Sequence, residues 1–225
     1  MIVAAVLWGT SQQAAAAAVQ VLFIGNSITQ HGPDASIEWS GHWGMAATEP
    51  QRDYVSQTMA LLRSAGHGRL KSRVLSDYAL EHEFFALSEA KIESFIKPET
   101  HADVLVLQLG DTVDLSKEAS PARFGGEYAL ILAGFRAHFG AQLRIVCLGK
   151  WWPAEEIDDQ IKAQCASATG TFVPIADIHL QPWGAAIKER PFAVAGVGDH
   201  PGDRAMQAIG QRVAAAIDLA DPRRP

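Results

Sequence analysis

Five short apolar runs punctuate the chain, at residues 20–25, 70–78, 102–110, 143–151 and 171–178. Two of them, DVLVLQLG and LRIVCLG, are almost unbroken hydrophobic stretches, the pattern of strands covered on both faces. Between and after these runs, apolar positions recur at helical spacing. Tyr54, Met59, Leu61 and Leu62 mark one helix, and Phe84, Phe85, Leu87, Ile92, Phe95 and Ile96 a second. Tyr128, Leu130, Ile131, Leu132, Phe135 and Phe139 mark a third, with two more over 154–168 and 204–219. Strand alternating with helix five times predicts an α/β protein whose central five-stranded parallel sheet lies between helices. Such crossovers are right-handed, and ligands of open parallel sheets bind beyond the carboxyl ends of the strands. In VLFIGNSITQHGP, Ser27 falls two residues past the first run, on that edge.

The first 18 residues do not fit this alternation. They combine a short apolar core with a run of small residues offering Ala-x-Ala cleavage choices, as in a signal peptide, although a basic start is missing. Residues 2–8 are too few to span a bilayer. The expectation is therefore a signal-like or disordered N-terminal segment at 1–18, a single domain at 19–225, export to the periplasm or beyond, and no stable membrane insertion. A formal charge of −6 argues against nucleic acid as a partner. Cys147 and Cys165 could pair in an oxidising compartment, but with one in an apolar strand and the other in a helix the expectation is two buried thiols, and their spacing suits no zinc site.

An unassisted serine hydroxyl is a poor nucleophile near neutral pH. It needs a base within hydrogen-bond reach and donors for the oxyanion that attack creates. The candidate base is His200 in GVGDHPGDRAMQAIG, held by Pro201 and Gly202 ahead of the last helix, with Asp203 as its expected N-cap. Taken together, Gly25-Asn26-Ser27-Ile28-Thr29 after the first strand, Gly110-Asp111-Thr112 after the third and a late His200-Pro201 resemble the SGNH (GDSL-type) hydrolases over residues 20–220.

The resemblance implies a flavodoxin-like three-layer α/β/α sandwich and ester hydrolysis through a serine acyl-enzyme, with no metal or organic cofactor. It assigns Ser27 as nucleophile and first oxyanion donor, Gly110 as the third-block glycine and His200 as general base. The chain departs from the pattern at three places. Thr112 stands where the family has its oxyanion asparagine. Ala79 is the nearest match to the second-block glycine. Val197 occupies the position of the acid that orients the histidine. Asp199, adjacent to His200, is expected to point elsewhere, so that a backbone carbonyl orients the imidazole in a Ser–His dyad. Asp177 is a more distant candidate.

Five tryptophans, Trp39, Trp43, Trp151, Trp152 and Trp183, fall in connections at the carboxyl edge and suggest a surface for a sugar ring or an acyl chain. The stretch WSGHWGMAATEPQRDYV is an insertion long enough to shape a pocket. His31 is expected to cap or to lie on the surface, and Glu81 and Glu83 to open a helix. The reading is a serine esterase acting on a small-molecule or carbohydrate ester, such as an O-acetylated sugar. A lipase or thioesterase of the same family is the nearby variant. The alternative is a catalytically inactive carbohydrate-binding protein of the same fold, for which Thr112 and Val197 argue. A purely structural role requires Ser27 and His200 to be far apart.

Overall fold

The computed structural model describes residues 18–67, 69–76, 79–116 and 121–219. Apart from residue 18, the signal-like segment lies outside the described residues. Five strands, β1 (Val19–Gly25), β2 (Leu70–Ser76), β3 (Val104–Gln108), β4 (Arg144–Leu148) and β5 (Thr171–Val173), form one sheet in the order β2-β1-β3-β4-β5, every pair parallel. That is the flavodoxin-like order, in which chain direction across the sheet reverses between β1 and β3. The helices are α1 (Tyr54–Ser64), α3 (Glu89–Ile96), α4 (Pro121–Phe139), α5 (Glu155–Ser167) and α8 (Asp203–Leu219), with the four-residue turns α2 (Ala79–His82), α6 (Ala176–His179) and α7 (Ala195–Gly198).

The alternation of side chains along each strand divides the core in two. Val21, Phe23, Val104, Val106, Val146 and Leu148 point to one face and pack against Tyr54, Met59 and Leu62 of α1 and Met206, Ile209 and Val213 of α8. Leu22, Ile24, Leu105, Leu107 and Ile145 point to the other, where Ile92 and Ile96 of α3, Phe124, Tyr128 and Phe135 of α4, and Ile157 and Ile161 of α5 cover them. Each such side chain removed from water contributes about 1.5–3 kcal/mol. Continuous apolar runs are what a strand with two buried faces requires.

The elements differ from the expected ones where chain chemistry interrupts them. The expected helix through Phe84 and Ile96 is broken at Leu87-Ser88, because the Ser88 side chain accepts from the Lys91 N–H and starts α3 afresh. The fifth strand stops at Val173 because Pro174 follows it. The third helix begins seven residues before Tyr128, with Pro121 in its first turn. Asp203 is not the N-cap of α8. Its carboxylate accepts from the N–H and hydroxyl of Thr48 (2.8 and 2.6 Å), while Glu189 accepts from the Asp203 and Arg204 N–H groups (3.0 and 3.1 Å). The expectation of two free thiols is corrected as well: Cys147 on β4 and Cys165 in the last turn of α5 face each other on the same side of the sheet and form a disulfide.

Candidate active site

β1 ends at Gly25, and the chain turns at once. The Asn26 carbonyl accepts from the N–H groups of Thr29 (2.9 Å) and Gln30 (3.0 Å), and its side-chain oxygen from that of Ile28 (2.9 Å). Only glycine fits at 25, since a Cβ there would lie 2.0 Å from Thr29 Oγ1 and 2.9 Å from the Gln108 carbonyl. Ser27 therefore sits at the top of a tight turn rather than in a helix, and α1 waits until Tyr54. The Ser27 N–H has no acceptor among the described residues.

His200 arrives from the opposite end of the chain, 173 residues later, and its Nε2 lies 2.8 Å from Ser27 Oγ. Nδ1 lies 2.7 Å from the Gly196 carbonyl, which can only accept, so Nδ1 carries the proton and Nε2 presents a lone pair to the serine hydroxyl. Val197, at the family's acid position, turns instead into an apolar cluster with Trp39, Met45, Ala46 and Ala186. Asp199 accepts from Trp152 Nε1 (2.5 Å), and Asp177 pairs with Arg212 (2.6 Å), so neither reaches the imidazole. His200 is 8% exposed. Burial pushes its pKa down to about 4, against the smaller upward pulls of the Gly196 carbonyl and the nearby Asp199 carboxylate.

Ser27 and His200 lie in a cleft of about 790 Å³ at the β1/β3 edge of the sheet. Its lining combines polar side chains, Gln30, His31, Asp34 and His42, with apolar ones, Ile37, Met45, Val194 and Val197. Much of this lining comes from the segment between β1 and α1, which Thr48 fastens to Asp203 and Arg190 Nη2 to the Ala46 carbonyl (2.6 Å). His31 thus lines the cleft, where a surface or capping position was expected.

Of the five tryptophans, Trp152 alone lines the cleft, its ring standing edge-on to His200 at 5.3 Å and 90°. Trp151 is fully buried and donates to the Asp199 carbonyl. Trp39 and Trp43 pack edge to face on each other, and Trp183 lies under Arg204. These four seal the loops over the core, so the expected aromatic platform reduces to a single ring.

The expected oxyanion donors also differ. The Gly110 N–H and the Thr112 hydroxyl both donate to the Glu81 carboxylate, as do the N–H groups of Asp111 (3.1 Å) and Thr112 (3.3 Å) and the Asn26 amide (3.3 Å). Ala79 is exposed and faces a neighbouring groove with Leu80 and Glu83. Glu81, expected as the polar start of a helix, is instead 2% exposed, while Glu83 does stay at the surface, paired with Lys91 at 2.6 Å. Glu81 is the residue that sequence reasoning missed. The signal was its place three residues before buried Phe84, on the inward face of the turn. Among the described residues, no three His, Cys, Asp or Glu side chains converge as a metal would require.

No protein-family model matches the chain, and no curated protein is similar enough to it to count as a relative. Solved structures do match. A GDSL-like lipase from Bacteroides uniformis aligns with a TM-score of 0.56 at 16% identity, over 90% of this chain and 96% of that one. An SGNH hydrolase from Slackia heliotrinireducens aligns at 0.51 and 13% identity, over 89% and 100%. A carbohydrate esterase of family 3 from Talaromyces cellulolyticus aligns at 0.55 and 14%, over 89% and 97%. At such identities the likeness concerns the fold. With its β2-β1-β3-β4-β5 sheet and helices on both faces, the protein has the α/β/α fold of the SGNH (GDSL-type) hydrolases.

Proposed function

We propose that this protein is an SGNH-type serine esterase that cleaves a small carboxylic ester, with an O-acetylated carbohydrate as the substrate class. One observation carries the reading: the Ser27 hydroxyl, the His200 imidazole and the Gly196 carbonyl form a continuous chain of hydrogen bonds at the floor of a cleft. Ser27 Oγ attacks the ester carbonyl as its proton passes to His200 Nε2. The oxyanion meets the Ser27 N–H. The imidazolium then protonates the departing alkoxide, and His200 activates water to release the acid.

The cleft lining supports the substrate class. Among the described residues, no lysine or arginine lines it, which suits an uncharged ester. The apolar lining side chains suit a short acyl group, and Gln30, His31, Asp34 and His42 offer hydrogen bonds to a hydroxylated alcohol. The structural neighbour named as a carbohydrate esterase points the same way. The disulfide supports export, since such bonds persist in oxidising compartments. Among the described residues, no helix is long and apolar enough to cross a membrane.

The engagement of Gly110 and Thr112 by Glu81 favours the second reading, a sugar-binding protein without turnover. Hydrolysis of p-nitrophenyl acetate by wild type, Ser27→Ala and His200→Ala separates the two. Wild-type turnover lost in both folded variants supports the esterase. Wild-type hydrolysis at background across acetyl to octanoyl esters, with sugar binding untouched by Ser27→Ala, supports the binding protein.

A further inference from the structure

Glu81 brings a carboxylate into the protein interior, and desolvating an ionised carboxylate is costly unless donors replace its water. Here they do. Three consecutive backbone N–H groups, from Gly110, Asp111 and Thr112, turn towards it, joined by the Thr112 hydroxyl and the Asn26 amide. Such a concave run of N–H groups is an anion-binding nest, and the φ of +120° at Gly110 helps to form it. The donors come from two segments: the turn after β1, where Asn26 immediately precedes Ser27, and the loop after β3, whose Thr112 lines the cleft. The Asn26 side chain works in both directions, donating to Glu81 and accepting from the Ile28 N–H.

We propose that Glu81 is a positioning residue of the esterase, its carboxylate clamping the exit loops of β1 and β3 together and so fixing the seat of Ser27 and the wall formed by Thr112. The inference rests on the esterase reading and adds to it a residue outside the Ser–His pair. A second effect opposes it. A negative charge near a developing oxyanion raises the barrier, and Glu81 lies one hydrogen bond from the residue before the nucleophile. Its charge is felt locally, since burial first and Glu81 second push the Asp111 carboxyl up to about 7. Positioning and repulsion thus predict opposite signs when the charge is removed.

The experiment compares wild type, Ser27→Ala, Glu81→Gln, Thr112→Val, Thr112→Ser and the double variant Glu81→Gln/Thr112→Val. It reads kcat and KM for p-nitrophenyl acetate, with near-ultraviolet circular dichroism as the check on folding. Glutamine keeps the shape of Glu81 but turns an amide against the converging donors. The clamp predicts that Glu81→Gln lowers kcat by about 10- to 100-fold, the usual scale for a misplaced reacting group, while KM changes by less than about threefold. The double variant should fall little below Glu81→Gln, because both changes break one linkage. A folded Glu81→Gln with kcat at or above wild type overturns the clamp. If Glu81→Gln does not fold, the threonine pair decides. Loss of kcat in Thr112→Val with recovery in Thr112→Ser supports the linkage, and a Thr112→Val variant equal to wild type overturns it. Wild-type hydrolysis that does not depend on Ser27 defeats the esterase reading itself, whereas a wild type dependent on Ser27 but indifferent to Glu81→Gln defeats the clamp alone.

Discussion

The Gly196 carbonyl holds Nδ1 of His200 at 2.7 Å, one helical turn along the same loop. A carbonyl fixes the tautomer of the ring as an aspartate does, but brings no full charge to stabilise the imidazolium. With Val197 turned into an apolar cluster, burial dominates and His200 is neutral over most of the pH range.

The first prediction follows from the sign of that shift. The neutral imidazole is the form that accepts the Ser27 proton, and it persists until pH falls to about 4. The pH profile of kcat/KM for Ser27-dependent hydrolysis should therefore rise through about pH 4 and level off before pH 6. A midpoint near the ordinary histidine value of 6.5 would mean that a charge reaches Nδ1 after all.

Trp152 shields the ring it stands against. Trp152→Ala admits water beside His200, so its pKa should move up towards 6.5 and the acid limb with it, with kcat down by about tenfold as the ring loosens. Trp152→Phe keeps an aromatic edge while losing the donor to Asp199, and should shift the limb less. Full pH profiles of the two variants provide the comparison.

Two buried groups act on stability in opposite directions. Asp111 has a folded pKa of about 7 against 3.8 unfolded, so between those values the unfolded chain holds fewer protons and stability falls as pH rises. His200, at about 4 folded against 6.5, has the reverse effect over nearly the same window. Asp111→Asn removes the first contribution, and its amide can donate to the Gln108 side-chain oxygen, which is buried without a partner. Relative to wild type, Asp111→Asn should gain roughly 1–3 kcal/mol between pH 4 and pH 8 in urea unfolding. A constant difference across that range would show that Asp111 stays ionised.

The disulfide closes a short loop between β4 and α5, with the cysteines 18 residues apart in sequence. Loops of this size contribute about 3 kcal/mol. The double variant Cys147→Ala/Cys165→Ala should melt roughly 6–12 °C lower, after allowing for the chain's size. Because Cys147 lies on β4 in the core under α4 and α5, whereas Ser27 sits in the turn after β1 and lines the cleft, kcat at 25 °C should hold.

The strands were legible because β1, β3 and β4 bury both faces, which leaves each run apolar but for one residue, Gln20, Gln108 and Arg144 in turn. Ser27 and His200 were legible for a related reason: each sits where an apolar pattern ends in small or turn-forming residues. The tryptophans were legible in place but not in direction. A position on a connecting loop does not say whether the ring turns towards the cleft, as Trp152 does, or down over the core, as Trp151 does. Glu81 was hidden because its partners lie 29 to 55 residues away and are mostly backbone N–H groups, which have no signature in the sequence. The disulfide was hidden because pairing depends on α5 crossing back over β4, a matter of packing.

Glu189 gives one of these loops a further property. It caps α8 from outside that helix, and the Ala186 N–H donates to the His200 carbonyl (2.8 Å), so the stretch from Ala185 to Asp203 is buckled at both ends like a strap with His200 in its span. A strap transmits slack. Substitutions at Glu189, which does not line the cleft, should surface in screens for lost Ser27-dependent hydrolysis alongside changes to the histidine itself, with the fold unharmed and the imidazole out of line.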